Sequence, residues 1–155
     1  MGYTHYWERT GYPHYSYDLW ESNQYAELRM DASRLIAVAI RKGTVVRGPL
    51  GSGQPHFTED YFSLNGDGSA GLDHETFAWW RSTPGNDTTF DFCKTNYKPY
   101  DAVVTAVLIR AKEIYGDFVS VRSDGDWDDW ASGRKLYEWT FGRKPNDPLR
   151  SAQTV

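Results

Sequence analysis

Asp101-Ala102-Val103-Val104-Thr105-Ala106-Val107-Leu108-Ile109-Arg110-Ala111-Lys112-Glu113-Ile114-Tyr115-Gly116-Asp117-Phe118-Val119-Ser120-Val121 contains the change of period that decides the fold. Val103, Val104, Val107, Leu108, Ala111, Ile114 and Tyr115 recur at the three- and four-residue spacing of one helix face. Pro99 stands just ahead and Gly116 just after, the residues that suit a helix start and stop. The run predicts a helix over 101–115 with a buried stripe. Phe118 to Val121 then reads as a strand, so helix and strand follow one another with almost no connection.

Working back from this stretch, Thr89 to Thr95 alternates Phe90, Phe92 and Lys94 against Asp91, Cys93 and Thr95, the period of a strand. Glu75 to Trp80, Tyr61 to Leu64 and the short Val45-Val46 have strand character too. They are separated by turn residues, notably Gly48-Pro49, Asn65-Gly66 and Thr83-Pro84-Gly85-Asn86-Asp87. Tyr25, Leu28, Ala32, Leu35, Ile36 and Ala39 predict an amphipathic helix over 24–42, stopped by Gly43. Residues 9–23 read as a loop. Gly2 to Glu8 reads as a first strand, with Tyr3, His5 and Trp7 on one face. Working forward, Trp127 to Phe141 reads as a short helix broken near Gly133. The expected fold is α+β: a mostly antiparallel sheet, formed as one meander, with two main helices on one face and a short C-terminal helix. Residues 1–142 form one compact domain and 143–155 a tail.

The chain has 155 residues and a net charge of −4, with 39% hydrophobic and 25% charged residues. That length supports a sizeable core without metal or disulfide. The acidic balance argues against a protein that coats nucleic acid, though not against one local basic pocket. A single cysteine, Cys93, excludes an internal disulfide and a multi-cysteine zinc site. No apolar run reaches the about 20 residues of a membrane span, and the first residues lack the pattern of a signal peptide. The expectation is a cytoplasmic protein, in which the sequon Asn86-Asp87-Thr88 has no use. The anomaly is 16% aromatic residues, with seven Trp, eleven Tyr and seven Phe. Such rings fill cores and also mark binding surfaces.

No motif fixes a chemistry. Asp124, Asp126 and Asp128 begin like a calcium loop, but Asp129 takes the glycine position and Lys135 that of the bidentate Glu. These aspartates read more naturally as helix caps. Cys93 with His74 or His5 would be the thiolate pair, against the commoner reading of a buried, inert cysteine. His74 and Glu75 would serve as acid and base in a small hydrolase. Gly51-Ser52-Gly53 lacks the ending of a phosphate loop and reads as a turn. Lys94 and Lys98 precede the 101–115 helix, whose amino end would attract an anion. Asp101, as its N-cap, would compete for those donors. Tyr3, Trp7, Trp79, Trp80, Tyr97, Tyr100 and Trp127, with Arg81, Lys94, Lys98 and Arg122, have the composition of a ring-stacking site for an anionic ligand. The alternative has Trp79 and Trp80 alternate across a strand, one in the core and one at a subunit interface of a homo-oligomer.

Gly2-Tyr3-Thr4-His5-Tyr6-Trp7, His74-Glu75-Thr76-Phe77, Phe92-Cys93-Lys94-Thr95, Lys98-Pro99-Tyr100-Asp101 and Ser123-Asp124-Gly125-Asp126 occur in that order. Over residues 2–141 the chain resembles a family of small proteins of phages and bacteria that begin with the same run. The resemblance implies a shared compact fold and a phage setting, and in an infected cell the host cytoplasm. Setting and composition together suggest a non-enzymatic binding protein for a nucleotide-derived host immune signal. The alternatives are a phosphodiesterase-like hydrolase using His74 and Glu75, and an inhibitor of a host protein. The expected ligand-binding residues are His5, His74, Lys94, Lys98, Tyr100 and Asp124, with neither cofactor nor metal. Extended nucleic acid and membranes are not expected partners.

Overall fold

The computed structural model describes residues 2–10, 17–82 and 88–149, without the side chains of 17–20. The expected turn at 83–87, with the first two sequon residues, lies outside them. The strands and α-helices among the described residues are β1 (Thr4–Thr10), α1 (Tyr17–Arg41), β2 (His56–Phe57), β3 (Tyr61–Leu64), β4 (Phe77–Trp80), β5 (Thr88–Lys94), α2 (Asp101–Tyr115), β6 (Val119–Ser123) and α3 (Ala131–Phe141). The fold is α+β, with antiparallel strands, two main helices and a short C-terminal one.

The expected single meander is replaced by two three-stranded sheets, ordered β5-β1-β6 and β2-β3-β4. The first strand lies at the centre of its sheet, between two strands that come much later in the chain. Local alternation predicts strands but not their partners, and a sequence-distant pairing leaves no local signal. Residues 45–46 form no strand; the only ladder contact there is an isolated bridge between Arg47 and Asn65.

α2 occupies the centre of the core, packed on α1, α3 and β6. Val103, Val104, Val107, Leu108 and Ala111 are all fully buried. So are Leu28, Ala32 and Leu35 of α1, which face them in the same core. α1 begins seven residues before the start that its apolar pattern predicted. Polar contacts hold this early part: Glu21 meets Arg9 of β1 at 3.4 Å, and Ser22 accepts a hydrogen bond from Arg81 at 2.9 Å. Contacts of that kind have no hydrophobic period. α3 is continuous through Gly133, where a break was expected. A Cβ there would lie 1.9 Å from Thr105 Oγ1 of α2, so the glycine marks a close helix crossing.

One end cap differs from expectation and one follows it. Tyr100, not Asp101, takes the N-cap position of α2, and Asp101 is turned away into a side-chain network. Ahead of α3, Asp126 and Asp129 cap one another, each carboxylate accepting the other's backbone N–H at 3.0 and 2.9 Å. The chain after α3 returns to the first sheet, where Leu149 bridges to Val121 in parallel. No described helix is long and apolar enough to cross a membrane.

Candidate functional site

Strand alternation gives the first sheet two unlike faces. His5, Trp7 and Arg9 point into the core; Thr4, Tyr6 and Glu8 point away from it. The pairing register extends the outward set across three strands. Tyr6 stands between Phe92 and Arg122, and Glu8 between Phe90 and Ser120. Thr4 stands between Lys94 and Asp124, whose backbone N–H donates to the Thr4 carbonyl at 3.0 Å. The outer face is therefore a grid with rings at its centre. Phe90 and Phe92 are 51% and 50% exposed. Their centroids are 6.1 Å apart, and Tyr6 stacks on Phe90 at 6.1 Å. The Arg122 guanidinium lies 5.7 Å from the Tyr6 ring centroid and makes no ion pair among the described residues. Exposed rings with cations beside them can hold a flat, charged ligand.

This face runs into a cleft of about 660 Å³, lined by Tyr6, Arg122, Ser123, Asp124, Gly125, Asp126, Trp127, Asp147 and Leu149. Its polar groups are held in place. Asp124 accepts hydrogen bonds from the Thr4 amide at 3.0 Å and the Tyr6 hydroxyl at 3.1 Å. Asp126 is fixed by its cap with Asp129, and Asp147 accepts the Leu149 amide at 2.8 Å. Asp124, Asp126 and Asp147 make the cleft acidic, Arg122 stands where it meets the rings, and Lys94 lies on the outer face beyond.

Behind the cleft lies a Ser-His-Asp chain. Ser123 Oγ is 2.8 Å from His5 Nδ1, and His5 Nε2 is 2.6 Å from Asp101 Oδ1. Thr95 donates a further hydrogen bond to the same carboxylate oxygen. The hydrogen atoms can be assigned. Gly125 N–H and Trp130 Nε1–H both donate to Ser123 Oγ, at 3.0 and 3.2 Å. The serine hydrogen must then go to His5 Nδ1, leaving Nε2–H for Asp101. That is the protonation pattern of a nucleophilic triad, but both serine lone pairs are already occupied. The nearby amides of Asp124, Gly125 and Asp126 are engaged as well, so no donor pair waits for an oxyanion. With His5 at 0% exposure between the edges of Tyr3 and Trp130, the chain reads as a brace joining β1, β6 and α2.

The six expected binding residues lie around this end of the first sheet but differ in access. Asp124 lines the cleft and Lys94 occupies the outer grid. His5 is buried in the brace. Tyr100 is buried too, and its hydroxyl donates to the Glu75 carbonyl. Lys98 is partly exposed in the turn before α2. His74 is exposed, with its backbone amide held by Asn65 at 3.1 Å. Its neighbour Glu75 accepts the Lys94 amide at 2.7 Å, so that carboxylate caps the end of β5. Cys93 is buried, and burial followed by the Glu75 charge pushes its thiol well up from the ordinary range. Among the described residues no three His, Cys, Asp or Glu side chains group as metal ligands.

Of Tyr6, Phe90, Phe92 and Arg122, only Arg122 was expected beside a ring-stacking site; the three rings were not. The alternation of Phe90 and Phe92 was visible, but only the register with β1 and β6 shows that the four share a surface. Compared with known proteins, the chain matches no family model, and no curated protein or solved structure is significantly similar to it.

Proposed function

We propose that the chain is a binding protein for a small nucleotide-derived molecule, held by base stacking on the outer face of the β5-β1-β6 sheet. The observation that carries this reading is the exposed tract of Phe90, Phe92 and Tyr6, with Arg122 beside it, opening into the cleft. A volume of about 660 Å³ falls within the roughly 300–1,000 Å³ of small-ligand sites. In this arrangement the base lies on the rings and the anionic group turns toward Arg122 and Lys94. Asp124 and Asp126, which line the cleft, accept hydrogen bonds from sugar hydroxyls or an exocyclic amine. The saturated hydroxyl of Ser123 supports capture over attack on the ligand. A role in sequestering a host immune signal rests on the phage resemblance alone.

The test is to incubate the purified protein with cyclic nucleotides and ADP-ribose derivatives, wash it, denature it by heat and identify what is released by mass spectrometry. Intact release of a retained nucleotide is the expected outcome. Conversion of the ligand, abolished by His74→Ala, would replace this reading with the hydrolase.

A further inference from the structure

The helical side carries a second feature, remote from the sheet face in chemistry and independent of its reading. Trp139 on α3 is 49% exposed. Lys42, just after α1, places its ammonium 4.3 Å from the indole centroid, and Lys135, one helical turn before Trp139, lies at 5.8 Å. One lysine over a tryptophan is an ordinary way to cover apolar surface with an aliphatic stem. Two ammonium groups on one ring repel each other, and here no described carboxylate lies within 4.0 Å of either. Arg9, Arg34, Arg110, Arg134 and Arg143 also lie over rings with a carboxylate within 4.0 Å. Arg29 and Arg122 each lie over a ring as single cations, so only Trp139 has two ammonium groups beside one ring among the described residues. In a chain of net charge −4, this is a local excess of positive charge.

Beside the ring runs a groove of about 210 Å³, floored by Ala39, Ala102 and Leu136. Two alanines, from α1 and α2, leave the space that larger side chains would fill. An apolar cavity of about 150 Å³ holds a benzene ring, so the groove suits one ring and is too small for a dinucleotide. We propose that it binds a small aromatic anion, a carboxylate or phosphate ester on a single ring. The ring packs against Trp139 over the alanine floor, and the charge meets Lys42 and Lys135.

The test is a titration of isotope-labelled protein, followed by NMR at the Trp139 indole N–H, with benzoate, phenyl phosphate and uncharged benzyl alcohol. The expected result is saturable binding of at least one anion about tenfold tighter than the alcohol, a difference of ~1.4 kcal/mol. The double variant Lys42→Gln/Lys135→Gln should lose that preference. Both side chains are exposed, so the variant should fold. Equal binding of alcohol and anions, no shift of Trp139 at about 10 mM ligand, or a preference retained by the double variant would each overturn the proposal. The comparison of ligands on the parent protein stands whether or not the variant folds.

Discussion

At the scale of single residues, the two faces of β1 have different work. Its outer face offers groups whose loss should spare the fold. Phe92→Ser removes a half-exposed ring, and Arg122→Ala an exposed guanidinium. Each should weaken a retained nucleotide by about 1–3 kcal/mol, the range for a lost stacking partner or a lost charged hydrogen bond. Titration calorimetry with whichever nucleotide is retained checks this, and unchanged affinity in both variants would remove the sheet face from consideration. Asp91, paired with Trp7 across the strands, lies on the inner side in a slot between Trp7 and Trp80. Burial there raises its carboxyl above the ordinary value, with the Phe92 amide and Arg9 opposing. A carboxyl raised by folding binds its proton more tightly in the native state. Its contribution to stability therefore worsens as pH rises from the ordinary value near ~3.9 through the folded value. Asp91→Asn should accordingly stabilise the protein at pH ~7, with the gain closing below about pH 4. Urea melts at the two pH values measure the difference; a loss at neutral pH would show that the attraction to Arg9 outweighs burial.

At the scale of elements, the helices were the most legible part of the sequence. The stripe from Val103 to Tyr115 predicted α2 to the residue, because a buried helix must repeat its apolar side chains at a fixed period. Leu108→Ala should cost roughly 2–5 kcal/mol in chemical denaturation, and a change within about 0.5 kcal/mol would mean the residue is not core. The start of α1 was illegible because Glu21 and Ser22 anchor it through polar bonds. The glycine in α3 was misread because composition cannot separate a helix breaker from a point of close approach. Thr105 cannot yield easily at that crossing, since its hydroxyl also donates to the Asp101 and Ala102 carbonyls. Gly133→Ala should thus destabilise by about 1–3 kcal/mol, as overpacking does, although alanine is the better helix former. A stabilised variant would show that α2 and α3 can part at little cost.

At the scale of the whole molecule, the fold class was legible and the topology was not. Strands and turns could be counted along the chain, but nothing local says that β1 must sit between β5 and β6. The site was hidden for the same reason. Phe90 and Phe92, Tyr6, and Arg122 belong to three separate strands, and only pairing makes them neighbours. The sequence reading instead favoured His5 and Tyr100, whose polar groups serve internal bonds. Hydrogen exchange should be slowest in α2, packed on α1, α3 and β6, and in β1, the longer of the two central strands. Fast exchange throughout β1 would contradict its central place. That central place also has a consequence in time. A ribosome adding about 5–20 residues per second needs roughly 5–20 s after finishing β1 to deliver β6. Throughout that delay one edge of the strand has no mate, and Trp7 has no completed core to enter. Nascent chains halted before residue 119 should therefore be the aggregation-prone ones, and release of β6 should mark the moment when chaperones let go.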